Sequence, residues 1–278
     1  MQQDLKNSEI ELSISVNSFK NPELLKLCLD SIKKNVLDVD HEIIVADSET
    51  DEDTEIMMRE EYPEIKFFPH KKNVGFQNLL KKGIEASRGK YLFFLNGDIL
   101  VTKNSIKKLL DFIKGNPKVG MVGPKLLNFN GTFQYSCFHF YEPITVFYRR
   151  TFLKNFGFAK KHLDWFLMKK RDHGKLIEAD WIMGSAMLTS RVAIQKVGLM
   201  DSRFFMYMED VDWCRRFWEK GYKVVFYPFS EMYHYHGKAS GKGSFFYSIF
   251  FNKLTWIHIF SAIKYFIKYK GKPIPQHD

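Results

Sequence analysis

The chain has 278 residues, 45% of them apolar, a share that supports a large core and excludes a disordered protein. Its 42 Lys and Arg against 32 Asp and Glu leave a net charge of +10, which points to an anionic partner: nucleic acid, a membrane surface or a phosphorylated ligand. Three scattered cysteines, Cys28, Cys137 and Cys214, give neither a disulfide framework nor a zinc spacing and suit a reducing cytosol.

The first residues, Met1 to Lys6, lack the apolar stretch of a signal peptide, so a cytoplasmic location is expected. Alternation of Ile10, Leu12, Ile14 and Val16 predicts a strand reaching Phe19. Asn21 as cap and Pro22 at the first helical position then predict a helix through Ile32. Glu42 to Ala46 reads as a buried strand ending at Asp47-Ser48, and the acidic Asp51-Glu52-Asp53 favours the positive end of a helix running towards Tyr62. Ile65 to Phe68 is a short strand, and Asn73-Val74-Gly75-Phe76 turns into a helix ending near Ser87. Short connections in a β-α-β-α-β-α-β order predict a parallel sheet flanked by helices.

The fourth strand carries the first chemical cluster. Tyr91 to Leu95 is an unbroken apolar run, as in a strand buried on both faces, and it stops at Asn96-Gly97-Asp98. Ligands of open α/β sheets bind outside the carboxyl ends of the strands. There, two oxygen donors around a glycine suit a hard cation shared with phosphates, although the same residues also suit an ordinary turn. Asp47 ends a strand on the same rim, where a carboxylate can accept a hydrogen bond from a base or ribose; as an alternative it caps a helix.

Ser105 to Lys114 predicts a helix, and Val119 to Leu127 a strand with a Gly-Pro break. Residues 141–178 are basic and aromatic without a clean period, including Tyr148-Arg149-Arg150, Phe156-Gly157-Phe158 and Lys160-Lys161. They read as an insertion or lid, suited to a single-stranded nucleic acid, a lipid-phosphate or sugar acceptor, or plain solvation. After the small residues Gly184-Ser185-Ala186 and a short helix from Arg191 comes the second cluster, Glu209-Asp210-Val211-Asp212. These acids follow the bulky run Phe204 to Met208, and burial beside it would raise their pKa as a general base requires. On a helix Glu209 and Asp212 share a face while Asp210 points elsewhere. Tyr222 to Tyr227 is a strand, followed by His234 and His236, which could ligate a metal or be structural. The tail from Phe245 to Lys270 is cut by Lys253, Lys264 and Lys268; it is too interrupted to span a bilayer and fits an amphipathic segment on a membrane or packed on the domain.

In this order and spacing, the segments Val16 to Ile32, Asp47, Asn73 to Phe76, Phe94 to Asp98, Trp181 to Ala186, Phe205 to Asp212 and His234 to Lys238 resemble the family 2 inverting glycosyltransferases of GT-A fold, nearest their bacterial rhamnosyltransferase-like branch. The resemblance implies a Rossmann-like, mostly parallel sheet flanked by helices over residues 1–240, with residues 141–178 on the acceptor side and a helical extension over 241–278. It implies a donor site formed by Ser18, Asp47, Asn73, Gly75, Asn96 and Asp98, a Mg²⁺ or Mn²⁺ ion on Asp98, Asn96 and His234, and catalysis by Asp210 with Glu209. Asn96 stands where the family often has Asp, which removes one charge from the metal site. The expected partners are a dTDP- or UDP-sugar, a glycan or lipid-linked acceptor, an anionic membrane surface and a second copy of the chain, with no nucleic acid. The expected place is the inner face of the cytoplasmic membrane. Two rivals are a sugar-phosphate nucleotidyltransferase, and a non-enzymatic protein that binds nucleic acid or membrane; the second leaves the acids unexplained, since carboxylates repel phosphates.

Overall fold

A computed structural model describes residues 10–235 and 253–275 of the protein. The first half is the predicted alternation: β1 (Leu12–Phe19), α1 (Pro22–Asn35), β2 (His41–Ser48), α2 (Glu52–Glu61), β3 (Lys66–His70), α3 (Phe76–Ala86) and β4 (Tyr91–Asn96). The predicted Asn21 cap forms, its side chain accepting from Leu24 N at 3.0 Å, and Asp51 caps the next helix by accepting from Thr54 N at 2.8 Å. The four strands pair parallel in the order β3-β2-β1-β4. Because β2 and β4 flank β1 on opposite sides, a crevice opens at the carboxyl ends of β1 and β4, where Asn17 pairs with Asn96.

The apolar run of β4 divides between two cores. Leu92 and Phe94 join one cluster, and Phe93 and Leu95 the other, so both faces of the strand are covered. Both faces of β1 are covered as well, with Ser13 and Ser15 fully buried. A Cβ on Gly83 of α3 would fall 1.9 Å from Ser15 Oγ, so the missing side chain of Gly83 is what lets this helix lie against the sheet.

β5 (Ile99–Val101) and α4 (Ser105–Gly115) lead to β6 (Val119–Leu127), which is continuous through Gly123-Pro124 rather than broken there. β7 (Phe133–Gln134) pairs with β6, and β8 (Cys137–Phe138) pairs with β10 (Trp181–Ile182) in a separate two-stranded ribbon. Between them the basic-aromatic region folds as α5 (Pro143–Arg150), a 3₁₀ turn (Phe152–Asn155), α6 (Gly157–Phe166) and β9 (Ile177–Glu178). β11 (Ala186–Ser190) runs antiparallel between β4 and β6; α7 (Arg191–Val197) and α8 (Glu209–Glu219) follow. β12 (Lys223–His234) then pairs parallel with β6 and antiparallel with β5, which makes the sheet mixed but dominated by its parallel half.

The last helix, α9 (Lys253–Lys268), packs on the domain through Ala262, Tyr265 and the following Tyr269. Among the described residues no helix is long and apolar enough to cross a membrane. The three cysteines are buried and free. His236 and residues 241–252 of the predicted tail lie outside the described residues.

Candidate functional site

A cleft of about 340 Å³ opens at the crevice between β1 and β4. Of the predicted residues, Ser18, Asn73, Gly75, Asn96 and Asp98 line it, together with Asn17, Ser48, Phe76, Met206 and Tyr235. Gly75 has φ +80°, and a Cβ there would fall 2.4 Å from the Phe205 carbonyl oxygen, so only glycine lets this loop meet the one before α8.

Asp47 is brought to the rim but is not a wall of the cleft. Its carboxylate is almost fully buried, neither oxygen has a hydrogen-bond partner, and burial pushes its pKa up. A buried acceptor left this way fits a donor supplied by a ligand.

The side-chain oxygens Asn96 Oδ1 and Asp98 Oδ1 are likewise buried without hydrogen-bond partners. His234 lies at the end of β12, whose pairing with Ile99 of β5 carries it to this strand end. Its Nδ1 lies 2.7 Å from Gln134 Oε1, which turns Nε2 towards Asp98 Oδ1 at 3.4 Å. An imidazole nitrogen and a carboxylate oxygen beside a buried amide oxygen fit a divalent cation, and a carbonyl holding the far nitrogen of a ligating histidine is the usual supporting contact. Among the described residues no group of three or more His, Cys, Asp or Glu could hold a metal, so Asn96 would be the third protein ligand. Nothing in the sequence singled out Gln134, which is joined to His234 only by tertiary pairing.

The second cluster starts α8. Tyr207 and Met208 both have positive φ, 67° and 68°, a conformation that bulky residues adopt only when their surroundings impose it. Here Phe204 is anchored in the core, and Ser261 of α9 donates to the Met206 carbonyl at 2.8 Å. The Tyr207 ring meets His258 of α9 edge-on at 5.0 Å. The tail therefore holds the turn that presents the acids.

Asp210 is half-buried, and its two oxygens accept from Gly184 N at 3.1 Å and Val211 N at 2.9 Å. Burial raises its pKa to about 6 against these hydrogen bonds and the positive Arg149. Glu209 is buried, its Oε2 has no partner, and burial together with the charge of Asp210 holds its pKa well above the usual range. Asp212 does not share that environment. It is fully buried under α9, bonded to Lys268, to Tyr269 Oη at 2.9 Å and to Arg216 Nε at 2.9 Å, so it ties helices together instead of facing an acceptor.

Gly184-Ser185 joins the two clusters. Gly184 N bonds Asp210, and the next carbonyl, Ser185 O, accepts from Asn96 N at 2.9 Å. A Cβ on Gly184 would lie 3.3 Å from both the Asp210 carboxylate and the ring of Phe76, a wall of the cleft. Asp210 thus borders the cleft from behind one glycine. Arg149 of the basic insertion lends it positive charge, its guanidinium carbon 5.6 Å from the Tyr141 ring centre and 5.4 Å from that of Phe166. The sequence marked Arg149 only as part of a basic run.

A mixed, mostly parallel sheet flanked by helices, with its cleft at the carboxyl ends of β1 and β4, is the GT-A glycosyltransferase fold. It superposes with a TM-score of 0.60 and 16% identity on a crystal structure of GalNAc-T7 with UDP, GalNAc and Mn²⁺, covering 83% of this chain and 44% of that one. The glycosyl transferase family 2 model matches residues 13–177, more than half of the chain, which belongs to that family and is an inverting glycosyltransferase that uses a nucleotide sugar. It is also 24% identical over 231 residues to the N-acetylglucosaminyl-diphospho-decaprenol L-rhamnosyltransferase of two Mycobacterium tuberculosis strains, covering 78% of this chain and 74% of those.

Proposed function

We propose that the protein moves a rhamnose-like hexose from a dTDP- or UDP-sugar to a hydroxyl of a lipid-linked glycan, at the cytoplasmic face of the membrane that carries the acceptor. The observation that carries this reading is Asp210, a carboxylate poised near pH 6 and joined through Gly184-Ser185 to the strand end holding Asn96 and Asp98. The lipid-linked acceptor is drawn from the mycobacterial relatives, whose name describes a sugar on a diphospho-decaprenol.

In this reading the cleft takes the nucleoside diphosphate, with Asp47 accepting from the base or ribose and Asn73-Gly75 closing over it. Asp98, Asn96 and His234 would hold Mg²⁺ or Mn²⁺, which when bound supplies positive charge against the diphosphate leaving group. Asp210, mostly ionised at neutral pH, takes the proton from the acceptor hydroxyl as its oxygen attacks the anomeric carbon from the face opposite the diphosphate, so the configuration inverts. Burial and the charge of Asp210 push the Glu209 carboxyl up, which favours its neutral form beside the base. Arg149 favours the ionised base and stands where an anionic acceptor would arrive.

The test incubates the purified protein with nucleotide sugars, Mn²⁺ and a polyprenyl-diphosphate-linked acceptor. Release of nucleoside diphosphate, lost on chelation with EDTA, is expected. Release of pyrophosphate would favour a nucleotidyltransferase, and no turnover with any donor would refute the assignment.

A further inference from the structure

Eight large apolar side chains left in water gather on α9 and on the neighbouring α5–α6 region. Along α9, Trp256, Phe260, Ile263 and Ile267 are 42, 56, 48 and 70% exposed. Their spacing of four, three and four residues sets them in one stripe, opposite the stripe of Ala262 and Tyr265 that enters the core. α5 packs beside α9. From α5 to the start of α6, Phe147, Phe152, Phe156 and Phe158 are each more than half exposed. These rings touch one another without closing a core: Phe152 lies 6.2 Å from Phe156, and Phe156 6.1 Å from Phe158. An exposed apolar surface assembled from eight large side chains marks an interaction site.

The charge around it is one-sided. The chain has 32 acidic residues, yet none occurs from Pro143 to Leu163 or from Met232 to His277. Residues 143–163 carry five cations and 253–275 five more. On the exposed surface these include Lys154, Lys160, Lys161, Lys270 and Lys272. Lys268 instead turns inward to Asp201 at 2.7 Å, while Lys264, itself exposed, bonds the Arg203 carbonyl at 3.0 Å.

We infer that α9 and the α5–α6 region together form one docking face for an anionic lipid bilayer, the aromatic and aliphatic side chains entering the interface while the lysines meet the headgroups. Apolar anchors ringed by cations are what such a surface binds. The 16 described residues of α9 rise ~24 Å against a hydrocarbon core of about 30 Å, and one face is packed on the domain, so the helix would lie on the membrane. A second copy of the chain would bring like charges together across the contact. A single-stranded nucleic acid would use the cations and rings but gains nothing from Ile263 and Ile267. Phe147 and Arg149 share α5, so docking through this helix would bring the neighbour of Asp210 to the surface where a lipid-linked hydroxyl is presented. Only that last consequence rests on the proposed acceptor; the face itself does not.

The experiment floats the full-length protein with phosphatidylcholine vesicles, with and without phosphatidylglycerol. The wild type is expected to float with the anionic vesicles, and several-fold less without phosphatidylglycerol or in about 0.5 M NaCl. Two independent double variants, Phe260→Glu with Ile267→Glu and Phe152→Glu with Phe156→Glu, are each expected to lower partitioning at least about tenfold. Both should keep the wild-type melting temperature and turnover on a water-soluble acceptor. Wild-type protein that stays with neither vesicle, or variants that float as well as wild type, would overturn the inference. So would a dimer in light scattering that these variants dissociate, or capture by single-stranded RNA in place of vesicles. A protein that floats as expected but transfers no sugar would refute the proposed function and leave the docking face standing.

Discussion

Replacing Asp210 by Asn separates what the carboxylate does for the reaction from what it costs the fold. Its pKa rises from an ordinary 3.8 to about 6 because burial disfavours the charged form. At about 1.4 kcal/mol per pH unit, ionised Asp210 costs the folded state on the order of 3 kcal/mol at neutral pH. The sign follows from the direction. A carboxyl whose folded pKa lies above its unfolded value gives its full stability below about pH 4 and loses it as pH rises through about 6. Asparagine removes that dependence at a price, since its one oxygen cannot accept from both Gly184 N and Val211 N, a loss of about 1–2 kcal/mol. Urea unfolding at a series of pH values should therefore find Asp210→Asn less stable than wild type at about pH 4 and more stable at about pH 8, a swing of about 3 kcal/mol. Turnover should fall about 10³-fold while the affinity for nucleoside diphosphate holds, and the wild-type rate should climb with pH through about 6. A stability difference that is flat with pH would refute the burial argument. Turnover within tenfold of wild type would remove Asp210 as the base.

Gln134→Leu takes the acceptor from His234 Nδ1 and should weaken Mn²⁺ binding about 10- to 100-fold, read by electron paramagnetic resonance with nucleotide present, with the fold intact. Gly75→Ala forces a Cβ onto the Phe205 carbonyl at φ +80°; denaturant unfolding should show a loss of about 1–3 kcal/mol, and calorimetry a weaker nucleoside diphosphate complex. Lys268→Met strips a cation from buried Asp212 and Asp201 and should cost about 3 kcal/mol by urea unfolding at neutral pH. The Arg203 and Lys268 contacts hold the Asp201 carboxyl below its usual range. Its stabilisation is thus present above about pH 4 and fades as pH falls, and the variant should lose less than wild type on acidification.

Much of the first half was legible because its signals are local. Caps, the fully apolar β4 and the short connections predict the elements and the parallel order, and the oxygen-rich end of β4 predicts where a ligand binds. The insertion was not legible as helices: Phe147 of α5 and Phe158 of α6 face outward while Phe166 of α6 enters the core, so the aromatic residues do not mark one buried stripe. Asp212 looked equivalent to its neighbours because spacing on a helix says which face a residue takes, not what packs against it. Only the arrival of α9 ties Asp212 between helices, while Gly184 N bonds Asp210 beside the cleft. The tail read as either membrane segment or packing helix, and the fold assigns one face to the core while leaving the other in water.

By itself the sequence determined which residues could do chemistry, since residue type and strand-end position are written locally. Tertiary structure decided which of them meet. Gly184-Ser185 bridges Asp210 to Asn96, Gln134 sets His234 against Asp98, and α9 holds the strained turn at Tyr207-Met208. Each of these contacts joins segments far apart in the chain, and no local pattern encodes which distant backbone will lie beside a given side chain once the sheet has formed.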